Sequence, residues 1–235
     1  MNKRILVTGG KGTFAKVLKS KNNSLDLVFL NKKELNILKP ETIRKCILKY
    51  KPNIILHTAG LARPMNQHEK KILKSIDLNI IGTANIVKEC VKYKIKLIYF
   101  SSCYVYDGVR GNFRESDGIN PINNYGLSKM GGESSVRMYK NSLILRIQMT
   151  KKPFVHKKAY SNLYSNYMFH EEMASLLPFL LNKFGIINVG GKSQSVYNFA
   201  KSHNKEVQKL KADHKKIPLK QTMNLSKLKE ILKTN

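Results

Sequence analysis

The chain has 235 residues, of which 42% are hydrophobic and 25% are charged, and its formal net charge is +28. This composition excludes a mostly disordered chain and provides enough material for one large domain with a sizeable core. The lysines are spread through nearly every segment, which is typical of a solvated lysine-rich surface. A basic face that binds nucleic acid is the less favoured alternative, so we expect no nucleic-acid partner.

The cysteines and the apolar runs indicate the cellular compartment in which the protein is expected. Cys46, Cys90 and Cys103 form no C-x-x-C pair, and no histidine has zinc-finger spacing. This predicts a reduced protein without a metal site. The apolar run at the N-terminus is too short for a signal peptide, and no run reaches the ~20 residues of a membrane span. We expect a cytoplasmic protein with no membrane span.

Short β-branched runs alternate with longer amphipathic ones over the first two-thirds of the chain. Strands are predicted at residues 5–7, 25–30, 53–59, 96–102 and 142–148, and helices at 13–21, 40–51, 76–94 and after residue 124. Continuously apolar strands separated by helices predict a parallel sheet covered on both faces. The predicted fold class is therefore α/β, a Rossmann-like doubly wound parallel sheet with a small C-terminal lobe.

After about residue 150 the pattern is less regular. The sequence predicts helices in HEEMASLLPFLLNK, VYNFAKSHNKEVQKL and NLSKLKEILKTN, and a short strand in GIINVGG. We predict an NAD(P)-binding domain over residues 1–149 and a small substrate-binding lobe over residues 150–235.

A glycine-rich segment, TGGKGTFA, follows the first strand and opens a helix. Glycines at this turn let the backbone approach a pyrophosphate whose charge lies at the helix N-terminus. A plain tight turn is the alternative, but the first βα turn of a doubly wound sheet is where dinucleotides bind. The candidate cofactor-binding residues of this loop are Gly9, Lys11, Gly12, Thr13 and Phe14.

The end of the second strand bears on the choice of cofactor. NAD-binding proteins usually carry an acid there, whereas this chain has Asn31, Lys32 and Lys33. An amide and two cations suit a 2′-phosphate better than free ribose hydroxyls, so Asn31 and Lys32 are candidate contacts and NADP is favoured. Glu34 keeps NAD as the alternative.

Three polar motifs fall where strands end, namely HTAG (57–60), SSCYVYDG (101–108) and YGLSK (125–129). Ligands of α/β sheets gather outside the carboxyl ends of the strands. Tyr125 and Lys129 are four residues apart on a predicted helix and so share one face. An ammonium one turn from a phenol favours the phenolate and can also hold the ribose of a nucleotide.

The order of TGGKGTFA, HTAG, SSCYVYDG and PINNYGLSKMGGE resembles the extended short-chain dehydrogenase/reductases, and among them the dTDP-4-dehydrorhamnose reductase branch. The likeness continues through ELNILKPETI, DLNIIGTANI, HEEMAS and the C-terminal segments. It implies that Ser102 binds the substrate carbonyl, Tyr125 donates a proton and Lys129 lowers the pKa of Tyr125. It further implies cofactor contacts at Asn36, Ile37, Ala59, Gly60, Tyr125 and Lys129.

The resemblance implies an NADPH-dependent reductase of a nucleotide-linked 4-keto-6-deoxy sugar, serving polysaccharide synthesis. It also implies a homodimer that pairs through the helix carrying Tyr125 and its neighbour. Two alternatives stay open. One is an NAD-dependent nucleotide-sugar epimerase that uses the same residues, and the other is a non-catalytic dinucleotide-binding regulatory subunit.

Two departures from the branch bear on these alternatives. Cys103 stands where rhamnose-type reductases usually carry Asp, and strand alternation predicts that its thiol faces away from the site and serves in packing. Tyr104 and Tyr106 are expected to shape the pocket. The segment from Thr150 to His170 is shorter than the substrate-binding insert of the branch, which motivates the regulatory alternative.

Overall fold

The structure, a computed structural model, describes residues 3–21, 24–215 and 217–234. Its strands are β1 (Ile5–Thr8), β2 (Leu27–Leu30), β3 (Ile54–His57), β4 (Lys96–Phe100), β5 (Ser142–Ile147), β6 (Met149–Thr150), β7 (Lys158–Tyr160), β8 (Tyr164–Ser165), β9 (Met168–Phe169), β10 (Gly185–Val189), β11 (Gln194–Ser195) and β12 (Gln208–Leu210). Six of them form one parallel sheet in the order β10-β5-β4-β3-β1-β2. The order reverses between β1 and β3, which is where ligands bind in such sheets.

The helices lie on both faces of this sheet. They are α1 (Thr13–Lys21), α2 (Pro40–Tyr50), α3 (Gln67–Lys70), α4 (Ile72–Ser75), α5 (Gly82–Tyr93), α6 (Asn124–Arg137), α7 (His170–Leu180), α8 (Val196–Lys201) and α9 (Ser226–Lys233). A π-helical segment, Ile76–Ile81, joins α4 to α5, and a 3₁₀ turn, Cys103–Val105, follows β4. One apolar core is shared by α1, α7 and α9, and the other by α2, α5 and α6.

The strand β1 shows why the sheet is covered on both faces. Ile5 and Val7 lie in the core under α1 and α7, whereas Leu6 points into the core under α2 and α5. Because successive side chains of a strand alternate between faces, a strand with apolar residues at every position must be buried on both. The predicted doubly wound parallel sheet is confirmed.

The segment after β5 contributes to both parts of the molecule. β10 pairs with β5 in the main sheet, and α7 packs beside α1. The remaining short strands form three two-stranded sheets, and a separate aromatic core gathers Phe154, Phe169 and Phe199. The division into residues 1–149 and 150–235 stays a prediction.

One predicted helix, VYNFAKSHNKEVQKL, is wrong over its second half. α8 ends at Lys201, and residues 208–210 instead form β12, paired with β7. Ser202 and His203 both bond back to the carbonyl of Phe199, and the Asn204 side chain accepts from the backbone N–H of Glu206. Such local side-chain bonds compete with the helical ladder and end it. None of the described helices is long and apolar enough to cross a membrane.

Candidate functional site

The glycine loop lies at the carboxyl end of β1. Gly9 has a φ of +69°, and a Cβ there would lie only 3.1 Å from Cα of Ala59. The N–H of Gly12 donates to the carbonyl of Gly9 at 2.7 Å, and the chain then enters α1 at Thr13. The first turn of α1 carries no acidic residue, and its leading N–H groups have no intrahelical acceptor. The loop therefore fits an anionic group such as a pyrophosphate.

Gly10 was not predicted as a site residue, yet it positions this loop. Its N–H donates to the carbonyl of Leu30 at 2.8 Å, and a Cβ there would lie 2.8 Å from the backbone nitrogen of Leu30. Only glycine therefore lets the loop pack directly on the end of β2. The doubled glycine in TGG is the signal that could have indicated it.

Polar side chains follow β2, as the sequence predicts. The carboxylate of Glu34 accepts from the backbone N–H of Asn31 at 2.8 Å and from its side-chain amide at 2.5 Å. The Asn31 oxygen in turn accepts from the backbone N–H of Lys33. Lys32 is exposed beside this turn, as is Lys11 in the glycine loop. The Glu34 carboxylate is thus hydrogen-bonded within its own turn. The exposed side chain next to it in the chain, that of Lys33, is cationic.

Asn36 and Ile37 lie in the connection from β2 to α2. The Asn36 side chain accepts from the N–H of Leu38 at 3.1 Å, and Ile37 is buried against Gly82. The amide of Asn85 on α5 donates to the carbonyl of Ile37 at 2.9 Å. These contacts fix the connection beside the sheet's reversal point.

The HTAG segment at the end of β3 is held by a buried polar network. His57 lies 2.9 Å from the hydroxyl of Thr8 through Nδ1 and 3.2 Å from that of Thr83 through Nε2. Burial, aided by the charge of Lys129, lowers the pKa of His57 to about 3, so the imidazole is neutral at physiological pH. Its contacts indicate a structural role.

Asn79, on the π-helical segment, was missed by the sequence analysis. Its oxygen accepts from the N–H of Leu61 at 2.7 Å, and its amide donates to the Leu61 carbonyl and to the Ser128 hydroxyl, each at 2.9 Å. It lies so close to Gly60 that a Cβ there would be 2.8 Å from the Asn79 oxygen. Asn79 therefore ties the loop after β3 to α6. The one amide within the apolar run IDLNII is the signal that could have indicated it.

Ser102 follows β4 at the carboxyl end of the sheet, and Tyr125 and Lys129 lie on α6. Ser102 is buried, with its hydroxyl accepting from the N–H of Tyr104 at 3.3 Å. The side chain of Asn123 caps α6 by accepting from the N–H of Gly126 at 2.9 Å. Tyr125 therefore falls in the first turn of α6 and Lys129 one turn later.

Tyr125 is set among aromatic rings. The ring centroid of His68 lies 4.9 Å away, and that of Tyr104 lies 5.4 Å away at a near-perpendicular angle. Burial raises the pKa of the Tyr125 phenol, and a hydrogen bond with Ser102 is the main opposing influence. The phenol therefore holds its proton at neutral pH.

Lys129 is buried with its Nζ 4.2 Å from the centre of the Tyr99 ring. Burial lowers the pKa of Lys129 to about 7, against the opposing charge of Glu133 one turn along α6. An amine with this pKa exchanges protons near neutrality, which is uncommon for lysine and frequent in functional sites.

Glu133 belongs to a different buried cluster, the ion-pair network of Glu133, Arg146, Ser101, Tyr106 and Asn188. Arg146 and Glu133 are joined at 2.6 Å, and Ser101 donates to the same carboxylate at 2.7 Å. Arg146 also donates to the Tyr106 hydroxyl at 2.7 Å, which donates to Asn188 at 2.9 Å. The expectation that Tyr106 shapes the pocket is wrong, whereas Tyr104 does face Tyr125.

Cys103 also differs from expectation. β4 ends at Phe100 and Cys103 begins the 3₁₀ turn, so strand alternation does not set the direction of its thiol. The thiol is fully buried and lies within hydrogen-bonding distance of the side-chain oxygens of Gln148, at 3.0 Å, and Gln221, at 3.3 Å. Burial raises the pKa of Cys103 to about 12, so the thiol stays protonated.

A cavity of about 390 Å³ lies between the loop after β3 and the segment over residues 150–210. Its lining includes Arg63, Thr150, Lys157, Lys158 and Tyr167. Burial raises the pKa of both Tyr167 and Tyr125, and the charge of Arg63 opposes this rise in each, which places Arg63 close to the catalytic candidates. Arg63 had no sequence signal, since it lies outside the motifs. Among the described residues, no cluster of three or more His, Cys, Asp or Glu could hold a metal ion.

A parallel doubly wound sheet with a glycine loop at its first βα turn defines the Rossmann-like class of proteins. Within that class, the chain belongs to the RmlD substrate binding domain family, whose sequence model matches residues 3–163.

Two kinds of curated relative are similar to this chain. Methionine adenosyltransferase 2 subunit beta of Bos taurus is 31% identical over 144 residues, covering 57% of this chain and 43% of the relative. The dTDP-4-dehydrorhamnose reductase of Aggregatibacter actinomycetemcomitans is 29% identical over 153 residues, covering 63% of this chain and 51% of the relative. The matched segments thus span about half of these relatives or less.

A solved structure shares the fold over nearly the whole chain. The dTDP-4-dehydrorhamnose reductase from Bacillus anthracis str. Ames, in complex with NADP, superposes with a TM-score of 0.87. The match covers 98% of this chain and 92% of that one, at 23% identity. At this identity the likeness shows the fold alone.

Proposed function

We propose that the protein is an NADPH-dependent reductase that reduces the C4 ketone of a nucleotide-linked 4-keto-6-deoxy sugar. The observation that carries this proposal is the proximity of the Ser102 hydroxyl to the Tyr125 phenol, with Lys129 one helical turn further along α6, at the carboxyl end of the parallel sheet. The relationship to dTDP-4-dehydrorhamnose reductases supports the substrate class.

The residues present fit a dinucleotide. Residues 9–14 would hold the pyrophosphate, Asn36 and Ile37 would lie beside the adenine, and Ala59 and Gly60 would form a wall of the cleft. The exposed Lys32, together with the engagement of Glu34 by Asn31, favours NADP over NAD. A bound dihydronicotinamide would supply the hydride, and Lys129 would hold its ribose.

The protonation states suit reduction. The raised pKa of Tyr125 keeps a proton on the phenol, ready for the alkoxide oxygen that develops at C4. Ser102, whose hydroxyl opposes the burial-driven rise in the pKa of Tyr125, would orient the same oxygen. Lys129, with a pKa of about 7, would stabilise the phenolate in its ammonium form.

The cavity beside this site would receive the nucleotide. Arg63, Lys157 and Lys158 line it, and their cationic side chains suit the diphosphate of a nucleotide sugar. The substrate would therefore lie with its sugar toward Tyr125 and its nucleotide toward the C-terminal lobe.

A homodimer is also part of the proposal. Ile72, Leu73, Ile76 and Ile81 are exposed on α4 and the π-helical segment, and Leu127 is exposed on α6, which packs beside α5. Monomers would leave this apolar surface in water. Sedimentation equilibrium of the wild type and of Ile81→Lys tests the pairing, and a monomeric wild type would reject it.

Replacement of the proposed proton donor provides the main test. Tyr125→Phe should lower the rate of NADPH oxidation with dTDP-4-keto-6-deoxyglucose by about 10³-fold, the contribution typical of a positioned general acid. Its affinity for NADPH, measured by fluorescence titration, should change less than about threefold, because cofactor contacts remain. Tyr106→Phe is the matched control, since it removes a phenol outside the site. A wild type that oxidises no NADPH with any 4-keto nucleotide sugar would reject the reductase.

The second candidate is a dinucleotide-binding regulatory subunit. It is favoured by the likeness to methionine adenosyltransferase 2 subunit beta and by the short segment from Thr150 to His170. This candidate predicts NADPH binding without turnover of any nucleotide sugar. An epimerase of the same fold would instead interconvert nucleotide sugars with tightly held NAD and no net oxidation.

A further inference from the structure

A series of buried hydrogen bonds begins at Thr8, the residue directly before the glycine loop. Thr8, His57 and Thr83 lie on β1, β3 and α5, and none of them exposes more than 1% of its surface. The Thr8 hydroxyl oxygen accepts from the backbone N–H of Thr58 at 3.2 Å and of Ala59 at 3.1 Å. Both of its lone pairs are then engaged, so its own proton is directed to Nδ1 of His57, 2.9 Å away.

The imidazole of His57 passes the series on to α5. Burial lowers the pKa of His57 to about 3, and a neutral imidazole carries one donor and one acceptor. Because Nδ1 accepts from Thr8, the ring proton lies on Nε2, which is 3.2 Å from the hydroxyl oxygen of Thr83. The Thr83 hydroxyl donates its single proton to the carbonyl of Asn79 at 2.8 Å. The tautomer of His57 is therefore fixed from both sides.

The last links run from Asn79 to Tyr125. The backbone of Leu61 orients the Asn79 amide, since its N–H donates to the amide oxygen and its carbonyl accepts from the amide nitrogen. The same nitrogen donates to the hydroxyl of Ser128 at 2.9 Å, and this hydroxyl donates to the carbonyl of Tyr125 at 2.8 Å. We call the residues of this series the buried chain, namely Thr8, His57, Thr83, Asn79 and Ser128.

The buried chain connects parts of the molecule that a reduction would need at a fixed separation. One end directly precedes Gly9 of the glycine loop, and the other end bonds the residue proposed as proton donor. Hydride and proton transfer in one complex require both reactants in place, and a misplacement of about 1 Å can cost about 10²-fold in rate. A set of directional bonds between buried groups restricts such a displacement.

We propose that His57 is a positioning residue, which acts through the buried chain to hold the first turn of α6, and with it Tyr125, in a fixed position relative to the glycine loop. Its expected effect on turnover rests on the proposed function. The imidazole suits this place because one of its nitrogens accepts while the other donates, and it thereby joins two hydroxyl groups on different elements.

Two serine variants provide the first test. Each removes a buried hydroxyl that donates to a backbone carbonyl of α6, from Ser128 to Tyr125 in the first turn and from Ser142 to Val136 in the last. Ser128→Ala should lower kcat for NADPH oxidation with dTDP-4-keto-6-deoxyglucose about tenfold while KM changes less than about threefold, because positioning is lost rather than binding. The matched control Ser142→Ala should keep the wild-type kcat. Similar urea midpoints of the two variants would exclude a general loss of stability.

A second test changes residues that donate no hydrogen bond to α6. His57→Phe keeps a ring and removes both nitrogens, Thr83→Val removes the hydroxyl, and Thr83→Ser retains it. Hydrogen-exchange mass spectrometry of the peptide over residues 124–130 should show exchange at least about threefold faster in His57→Phe and Thr83→Val, because the first turn of α6 opens more often. Thr83→Ser and Ser142→Ala should exchange as the wild type does. This measurement needs no turnover.

The outcomes separate this inference from the proposed function. Wild-type exchange in His57→Phe and Thr83→Val would overturn the inference, and so would equal kcat values in Ser128→Ala and Ser142→Ala. If His57→Phe fails to fold, the comparison of Thr83→Val with Thr83→Ser decides. Turnover that is independent of the buried chain leaves the reductase and rejects the positioning role. Faster exchange in a protein whose wild type oxidises no NADPH with any 4-keto nucleotide sugar rejects the reductase and retains the role of His57.

Discussion

Two regions that share α6 differ in whether their buried charged groups are paired with a counter-charge. In the ion-pair network, Glu133 and Arg146 are both almost fully buried and each is satisfied, the carboxylate by Arg146 and Ser101 and the guanidinium by Glu133 and Tyr106. One turn earlier, Lys129 is buried against the Tyr99 ring, and its pKa falls to about 7. The same helix thus carries a neutralised pair and an uncompensated base.

The difference separates structural from functional polarity. A buried ion pair whose members are all hydrogen-bonded has no donor or acceptor left for a ligand. Its role is to hold β4, β5 and α6 together. Among the described residues, Lys129 instead has no buried counter-charge as close as that of Arg146, and burial lowers its pKa to about 7. Strongly perturbed groups of this kind are frequent in functional sites.

Breaking the ion pair should produce the largest effect. Glu133→Gln leaves the Arg146 guanidinium buried without its counter-charge, and we expect a loss of about 3–5 kcal/mol in the free energy of unfolding. Urea denaturation at pH 7 measures it. The double variant Glu133→Leu with Arg146→Met should recover most of this loss, because apolar side chains of similar size need no counter-charge. A loss of less than about 1 kcal/mol in the unfolding free energy of Glu133→Gln would show that the ion pair does not stabilise the fold as expected.

The lowered pKa of Lys129 should make the free energy of unfolding depend on pH. Between pH 7 and about 10 the unfolded Lys129 binds a proton that the folded one lacks, so raising the pH favours the folded state. Relative to Lys129→Met, the wild type should gain up to about 1.4 kcal/mol per pH unit in this interval. Below pH 7 both states are protonated and the difference should be constant. A difference that stays constant from pH 6 to 10 would contradict the lowered pKa.

A pair of matched variants compares the phenols of the two regions. Tyr106→Phe removes the hydroxyl that Arg146 and Asn188 share, and we expect it to lose about 1.5 kcal/mol of unfolding free energy without altering turnover. Tyr125→Phe should do the reverse, abolishing turnover with a smaller change in stability. Denaturation and NADPH oxidation are measured on both proteins. Equal effects on both readouts would remove the distinction between the regions.

The smallest effect concerns Cys103, which lies where the two regions approach each other. Its thiol is fully buried and, with a pKa of about 12, remains protonated at pH 8. Thiolate is the reactive form, so iodoacetamide should leave Cys103 of the native protein unmodified while labelling it rapidly in urea. Mass spectrometry of the peptide around residue 103 reports the extent. Native labelling at the rate of a free thiol would show that the 3₁₀ turn opens readily.

Local patterns predicted the elements that depend on neighbours in the chain. α1 spans the predicted residues 13–21, and α2 begins at Pro40, the first residue of the helix predicted over 40–51. Helices and buried strands of this kind are set by periodicity and by turn residues within a few positions. The failure after Lys201 has the converse cause, because β12 exists through pairing with the distant β7.

By itself, the sequence determined the alternation of buried strands and helices that implies a doubly wound sheet, the glycine loop, and the spacing of Tyr125 and Lys129 on one helical face, because each of these patterns is local in the chain. Only the tertiary structure decided which polar groups meet. Gln148, Arg63 and Asn79 lie in segments without motifs. Tyr106 does not line the expected pocket, because its hydroxyl accepts a hydrogen bond from Arg146. Contacts between segments many residues apart depend on how the helices cover the two faces of the sheet, and burial then sets the pKa of groups such as Lys129.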